Sequence, residues 1–220
     1  MKSEISVTVD IVIFALRGDD LQVLLIRRKN PPFQNMWAIP GGYVNVDESL
    51  EAASARELYE ETGVNGVHIE QLFTFGAIDR DPRGRVVTVA YFALVPAPLV
   101  VEAGSDAHDA AWKSMYDLPE MAFDHQDILM YALKRLRYKL EYTAVGFQLL
   151  PPEFTLTTLQ RAYETILGVQ LDKRNFRRRI LQAEVIEETG VRTGGEGRPA
   201  MLYRFRDDAV AEIKARRLFP

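Results

Sequence analysis

The chain has 220 residues, 47% of them apolar, enough for one large domain or two small ones with a real core. It contains no cysteine, which excludes disulfides, thiolate metal sites and cysteine nucleophiles and is compatible with a reducing cytoplasm. The net charge of −4 is uneven: residues 1–142 hold 14 Lys/Arg against 21 Asp/Glu, giving −7, and residues 143–220 hold 13 against 10, giving +3, so the two parts suit different partners.

Lys2, Glu4, Asp10 and Arg17 rule out a secretory signal over the first twenty residues. Ile5–Leu16 and Leu21–Arg28 are β-rich and separated by a Gly-Asp-Asp turn, so they read as two paired strands. Asn30-Pro31-Pro32 breaks the pattern. In FQNMWAIPGG, residues 33–42, Phe33 and Trp37 read either as platforms for a base or as core. Gly41 and Gly42 let the backbone approach a phosphate or a metal.

The run GYVNVDESLEAASARELYEETGV, residues 42–64, follows. Ser49–Thr62 reads as a helix, with Asp47 or Ser49 capping its start and Gly63 ending it. Glu57, Glu60 and Glu61 stand at i, i+3 and i+4 and so share a face. Ala52, Ala55, Leu58 and Tyr59 are expected on the opposite, buried face. Clustered carboxylates repel unless a cation sits among them. Oxygen ligands suit Mg²⁺, or Mn²⁺, bridged to substrate phosphates. Arg56 is placed to hold one carboxylate, and Glu48 to reach the metal site from the helix entrance. A solvated acidic face is the plainer reading of the charges alone, but it leaves the glycines and Arg56 at fixed offsets unexplained. The run resembles the Nudix box, at nine positions that chance would match roughly once in 10⁹ starting points. The resemblance implies binding or hydrolysis of a nucleoside diphosphate linked to another group.

Beyond the box, Gly66–Gly76 reads as a strand and Ala77–Arg85 as a polar turn rich in arginine. Arg80, Arg83 or Arg85 meets substrate phosphates on one reading; on the other the segment is an exposed hairpin tip. Val86–Val95 is a further strand. The uncharged run Val86–Val101 is too short for a membrane span and contains Pro96 and Pro98. Trp112 reads as core, and Asp124–Tyr142 as a long helix with apolar positions near helical spacing. None of His68, His108 and His125 has zinc-ligand spacing.

From Thr143 the character changes. Ala144-Val145-Gly146 and Pro151-Pro152 suggest a boundary, dividing the chain into residues 1–142 and 143–220. FTLTTLQRAYETILG reads as a helix capped by Thr155 or Thr157 and stopped by Gly168, and Asp172 caps a second, DKRNFRRRILQ. Val185-Ile186 and Ala200–Phe205 read as strands around a glycine-rich basic hairpin. Helix, turn, helix and hairpin is the layout of a winged helix-turn-helix. On the second helix Phe176, Ile180 and Ala183 should pack inward. Arg174, Asn175, Arg178, Arg179 and Gln182 lie on the other face, suited to phosphates and base edges. Lys173 near the helix start, and Arg192 and Arg198 on the wing, are further phosphate candidates, whereas Arg177 is placed to hold the fold together. A solvated basic helix is the alternative.

WAIPGGYV (37–44), LPEMAFDHQDIL (118–129), LLPPEFTLTTLQRAYETILG (149–168), LDKRNFRRRIL (171–181) and GRPAMLYRF (197–205) together resemble the Nudix-related transcriptional regulators, best known as repressors of NAD-synthesis genes. The resemblance implies an α/β/α Nudix sandwich with a mixed sheet, followed by a winged helix domain. It also implies a homodimer built through the Nudix domains, a palindromic double-stranded DNA operator, and ADP-ribose or a related nucleotide as effector. Other branches of the family sense different metabolites, including sugars. Many members carry a damaged box; here Glu48, Arg56, Glu57, Glu60 and Glu61 are all present. The alternative is therefore a Mg²⁺-dependent pyrophosphatase of ADP-ribose or a nucleoside-diphosphate sugar, whose tail serves dimerisation.

Overall fold

The structure is a computed structural model describing residues 4–97, 107–142, 149–194 and 199–206. It divides into two compact units: the chain up to Ala15 with Leu21–Ala132, and Leu16–Asp20 with the chain from Leu133 onward.

The first unit is built on β1 (Ser6–Arg17), β2 (Asp20–Arg28), β3 (Trp37–Ala38), β4 (Gly41–Tyr43), α1 (Leu50–Thr62), β5 (Glu70–Phe75), β6 (Val86–Val95) and β7 (Ala107–Ser114), and contains the start of α2 (His125–Tyr142). The sheet order is β3-β2-β1-β6-β5, with β4 also pairing β1 and β7 pairing β2. β1 and β6 run parallel and the other described pairs antiparallel, so the sheet is mixed, as the sequence implies. β1 is buried from Thr8 to Ala15, as a strand covered on both faces must be. Val9, Ile11, Ile13 and Ala15 pack with Ala53 and Leu58 of α1. Asp10, Val12 and Phe14 alternate to the other face by the two-residue period of a strand. β7 is a strand that the sequence reading missed; Trp112 lies on it, half-buried against the core.

Ser49 caps α1 by accepting from the Ala52 amide, and Gly63 ends it in the left-handed region at φ 70°. The expected buried face of α1 is a correction. Leu58 is buried, but Ala52, Ala55 and Tyr59 are exposed; the inward face carries Ala53, Ser54, Leu58, Glu61 and Thr62. Its inward stripe is narrow and partly polar because the helix turns Glu61 toward the sheet.

The second unit contains α3 (Leu156–Leu167), α4 (Lys173–Gln182), β8 (Ile186–Arg192) and β9 (Met201–Phe205). Thr155 caps α3, Gly168 ends it at φ 71°, and Asp172 caps α4 by accepting from the Asn175 amide. Leu159, Ala162, Tyr163 and Ile166 are all buried, as their spacing predicts. Phe176 and Ile180 of α4 are buried against them, with the Tyr163 and Phe176 rings 5.5 Å apart, and Ala183 is half-buried. β8 and β9 form an antiparallel hairpin, and Phe154 adds a bridge to Tyr203 on its edge. The expected boundary at Thr143 and Ala144-Val145-Gly146 lies outside the described residues.

Candidate functional site

The register of β4 against β1 sets Gly41 beside Asp10 and Gly42 beside Val9. This brings the two glycines under α1. The Gly41 amide donates to Glu61 Oε2 at 2.8 Å, and the Glu57 carboxylate lies against Gly42 so closely that a Cβ there would overlap it. Glu61 is only 7% exposed. Burial, with smaller contributions from Glu57 and Asp10, pushes its carboxyl up to about 8. Burial also raises Glu57, against the lowering effect of Arg56.

Arg56 gathers three carboxylates rather than the one expected. Its Nε donates to Glu48 Oε2 at 3.0 Å and its Nη2 to Glu48 Oε1 at 2.6 Å, a forked pair. Its Nη1 reaches Glu57 Oε1 at 2.7 Å and Glu60 Oε2 at 3.1 Å, and Nη2 also meets the Tyr43 carbonyl at 3.1 Å. The Arg56 bond, followed by the Asn45 amide, draws Glu48 down to about 2. Glu60 is the most exposed of the three. Among the described residues no three acidic or imidazole groups form a ready-made ion cage, because the guanidinium takes the oxygens of Glu48, Glu57 and Glu60.

Of these residues Arg56, Glu57, Glu61 and the two glycines line a cleft of about 370 Å³, whereas Glu48 and Glu60 do not. The other walls come from β1, β2, the Ala77–Arg85 turn and the start of α2. Arg80 forms a forked bond with Asp124, 2.9 and 2.7 Å, and lies 3.6 Å from Asp10. His125 Nδ1 accepts from the Ile39 amide at 2.9 Å, and its Nε2 lies 3.6 Å from Asp10. That acceptor role needs an unprotonated Nδ1, and burial lowers the His125 pKa accordingly. Phe123, at φ 53°, presents its ring to Arg28 at 4.7 Å and Arg83 at 5.5 Å, with Phe33 edge-on at 4.8 Å.

In the second unit α4 exposes Lys173, Arg174, Arg178 and Gln182, while Asn175 and Arg179 are half-buried. Arg178 Nη2 donates to Asn175 Oδ1 at 2.7 Å. Arg177 Nη2 donates to Thr157 Oγ1 at 3.2 Å, tying α4 to α3. Arg192 is exposed on β8, and Arg198 lies outside the described residues.

Comparison with known proteins matches residues 6–132 to the NUDIX domain and residues 146–205 to the NrtR DNA-binding winged helix domain. The chain is 43% identical over 202 residues to the ADPR responsive transcriptional repressor NtrR of Acinetobacter baylyi, covering 90% of this chain and 81% of that protein. The chain belongs to the NrtR family. Its fold aligns with Shewanella oneidensis NrtR complexed with a 27mer DNA at a TM-score of 0.80 and 37% identity, over 97% of this chain and 99% of that one. It also aligns with the NUDIX domain of the same protein complexed with ADP ribose, at a TM-score of 0.58 and 38% identity over 62% of this chain and 90% of that one.

Within this NrtR-family cleft Gly41, Gly42, Arg56, Glu57, Glu61, Arg80 and Arg83 come together as lining residues. The exposed-tip reading of the Ala77–Arg85 turn does not hold for Arg80, which is buried because Asp124 and Asp10 surround its guanidinium. Arg85 is turned back to the Gly76 and Ala77 carbonyls. Phe33 and Trp37 do not line the cleft; Trp37 lies beneath the Lys113 ammonium, 4.5 Å from the ring centroid. Asp10, Arg28, Phe123 and His125 line it, and none was singled out in the sequence for that role. The signal for the last two was LPEMAFDHQDIL, which carries the family likeness but gives no sign of which side chains turn inward.

Proposed function

We propose that this chain is an ADP-ribose-responsive transcriptional repressor of NAD-metabolism genes that acts in the cytoplasm as a homodimer on a palindromic operator. A two-fold protein suits a two-fold DNA site. The observation that carries the reading is the pairing, in one chain, of a carboxylate-lined cleft with an exposed basic α4 followed by a wing. The relatives named for ADP-ribose response and for DNA support it. Lys173, Arg174, Asn175, Arg178, Arg179 and Arg198 are assigned to DNA. Among the described residues no helix is long and apolar enough to cross a membrane. Any change that ADP-ribose makes in operator affinity is matched by an equal change that operator makes in ADP-ribose affinity.

The residues fit a divalent cation. Glu57 and Glu61 are hard oxygen donors whose ionisation is disfavoured by burial, a penalty that a cation offsets. Glu57, Glu60 and Glu61, with Glu48, would hold Mg²⁺ or Mn²⁺, which when bound neutralises a diphosphate and polarises it toward water. Arg56 positions this set by holding Glu48, Glu57 and Glu60. The complete set favours a second reading in which the same cleft hydrolyses ADP-ribose. Electrophoretic shift of operator fragments at low salt, with and without ADP-ribose, tests the first: no shifted fragment in either condition would sink it. Product release from ADP-ribose with Mg²⁺, lost in Glu61→Gln, tests the second.

A further inference from the structure

The start of α2 belongs to the cleft: Asp124, just before the helix, holds Arg80, and His125, its first residue, accepts from the Ile39 amide. At Leu133 the helix passes into the second unit, which also contains α3 and α4. Its sequence, HQDILMYALKRLRYKLEY, has neither glycine nor proline, so no kink is built into it. Leu133, Leu136 and Leu140 are buried on this later half. Arg137, half-buried, donates from Nε to the Ile166 carbonyl at 2.8 Å. Ile166 stands in the last turn of α3, where carbonyls lack a partner within the helix and the helix dipole favours a cation. Gly168 ends α3 beside the same guanidinium: a Cβ there would lie 3.3 Å from Arg137 Nη2.

We infer that Arg137 is the joint through which an occupied cleft acts on the DNA-reading helices, a positioning residue outside both the cleft and α4. His125 and Arg137 are about 18 Å apart along one helix, at about 1.5 Å per residue. An effector that meets Arg80 and His125 acts on the start of that helix. A helix without a hinge passes a displacement of its start to its end, and Arg137 hands it to the end of α3. α3 in turn carries α4 through the contact of Tyr163 with Phe176. A ligand shifts an equilibrium only where two states differ in a contact. The Arg137 bond is a contact that two states can make and break while both helices stay folded. The β1–β2 turn is the alternative route: Asp19 lines a hollow with Arg161, Glu164 and Gly168 in the same unit.

This role rests on the ADP-ribose-responsive reading, and the test separates the two. Fluorescence anisotropy of a labelled operator fragment gives the operator Kd of the full chain with and without saturating ADP-ribose. Calorimetry gives the ADP-ribose Kd without DNA. Wild type is compared with Arg137→Ala, Arg137→Met, Arg137→Lys and Asp19→Asn, each checked for a cooperative melting transition. Arg137→Met keeps the apolar stem, so it reads the loss of the donor even where Arg137→Ala does not fold. In wild type, ADP-ribose should change the operator Kd by about five- to 150-fold, the usual range for coupled sites. Arg137→Ala and Arg137→Met should bring that ratio to about one, with the ADP-ribose Kd unchanged. Arg137→Lys should retain part of the ratio, because it keeps a cation at the end of α3 but loses the planar donor. Asp19→Asn should keep the whole ratio. A wild-type ratio in Arg137→Met overturns the joint even where the melting temperature falls, since a merely structural bond changes stability and not coupling. Coupling lost in Asp19→Asn but kept in the Arg137 variants overturns it too, in favour of the β1–β2 turn. A wild-type operator Kd indifferent to ADP-ribose overturns the responsive reading itself, and the joint with it.

Discussion

Gly42 and Glu57 are in contact across the cleft wall: a side-chain carbon on residue 42 would overlap the Glu57 carboxylate. The absence of a Cβ is what lets β4 slide beneath α1. Gly42→Ala should push Glu57 aside and cost about 1–3 kcal/mol of stability through overpacking. It should also weaken Mn²⁺-dependent ADP-ribose binding far more than operator binding. Calorimetry and thermal denaturation read the two effects, and a variant with unchanged metal dependence would show that the contact is incidental.

Arg80 and Asp124 test the far wall. The Arg80 side chain is 4% exposed and forked onto Asp124, with Asp10 3.6 Å away, so removing Asp124 takes the buried cation's main partner and removing Arg80 leaves two carboxylates without their cation. Arg80→Met and Asp124→Leu singly should each cost about 3–5 kcal/mol. The double variant should cost clearly less than the sum of the two, a coupling that urea denaturation can read as a double-mutant cycle. Additive losses would mean that the pair is not the unit of stabilisation here.

His125 gives a pH test. Burial lowers its folded pKa below the ordinary 6.5, and the Ile39 amide needs Nδ1 unprotonated. Below pH 6.5 the unfolded chain binds the proton more readily. The stabilisation is therefore full above that value and lost as pH falls toward the folded pKa. Glu61, raised to about 8, acts in the opposite sense between 4.5 and 8, since its folded form takes up the proton first. Comparing wild type with His125→Gln cancels the Glu61 contribution. The variant should be less stable at pH 7.5 and lose less stability between pH 6.5 and 5, by up to about 1.4 kcal/mol for each pH unit spanned by the lowered pKa. Parallel melting curves for the two proteins would exclude His125 as the titrating group.

Local rules made much of this molecule legible. Ser49, Thr155 and Asp172 cap the helices expected of them, and Gly63 and Gly168 end theirs in the left-handed region. The buried stripe of α3 follows its period because the helix packs one apolar face inward. The rule failed in part on α1, whose inward face includes a glutamate: Leu58 is buried as expected, but Ala52, Ala55 and Tyr59 are exposed. The cleft was half legible. Glu57 and Glu61 sit within one helix, where spacing fixes proximity. Asp10, Arg28, Phe123 and His125 arrive from three separate segments, and only the tertiary fold brings them together. Asp10 lies in an otherwise apolar strand, which marks it as unusual without naming its partners, Arg80 and His125.

The last prediction separates phosphate binding from support in α4. Arg174 and Arg178 are exposed, Phe176 is 1% exposed against Tyr163, and Arg177 bridges to Thr157. Arg174→Ala or Arg178→Ala should weaken operator binding and reduce the slope of log affinity against log salt by roughly 0.9 for each phosphate no longer neutralised. Phe176→Ala should cost about 3–5 kcal/mol through the cavity it leaves, melting the winged unit rather than altering the slope of the protein that remains folded. Arg177→Ala should resemble Phe176→Ala in kind but be milder, because one hydrogen bond between helices contributes about 1 kcal/mol. A full loss of salt slope in Arg177→Ala, with the slope unchanged in Arg174→Ala and Arg178→Ala, would exchange these roles and place the DNA on the face that α4 shares with α3.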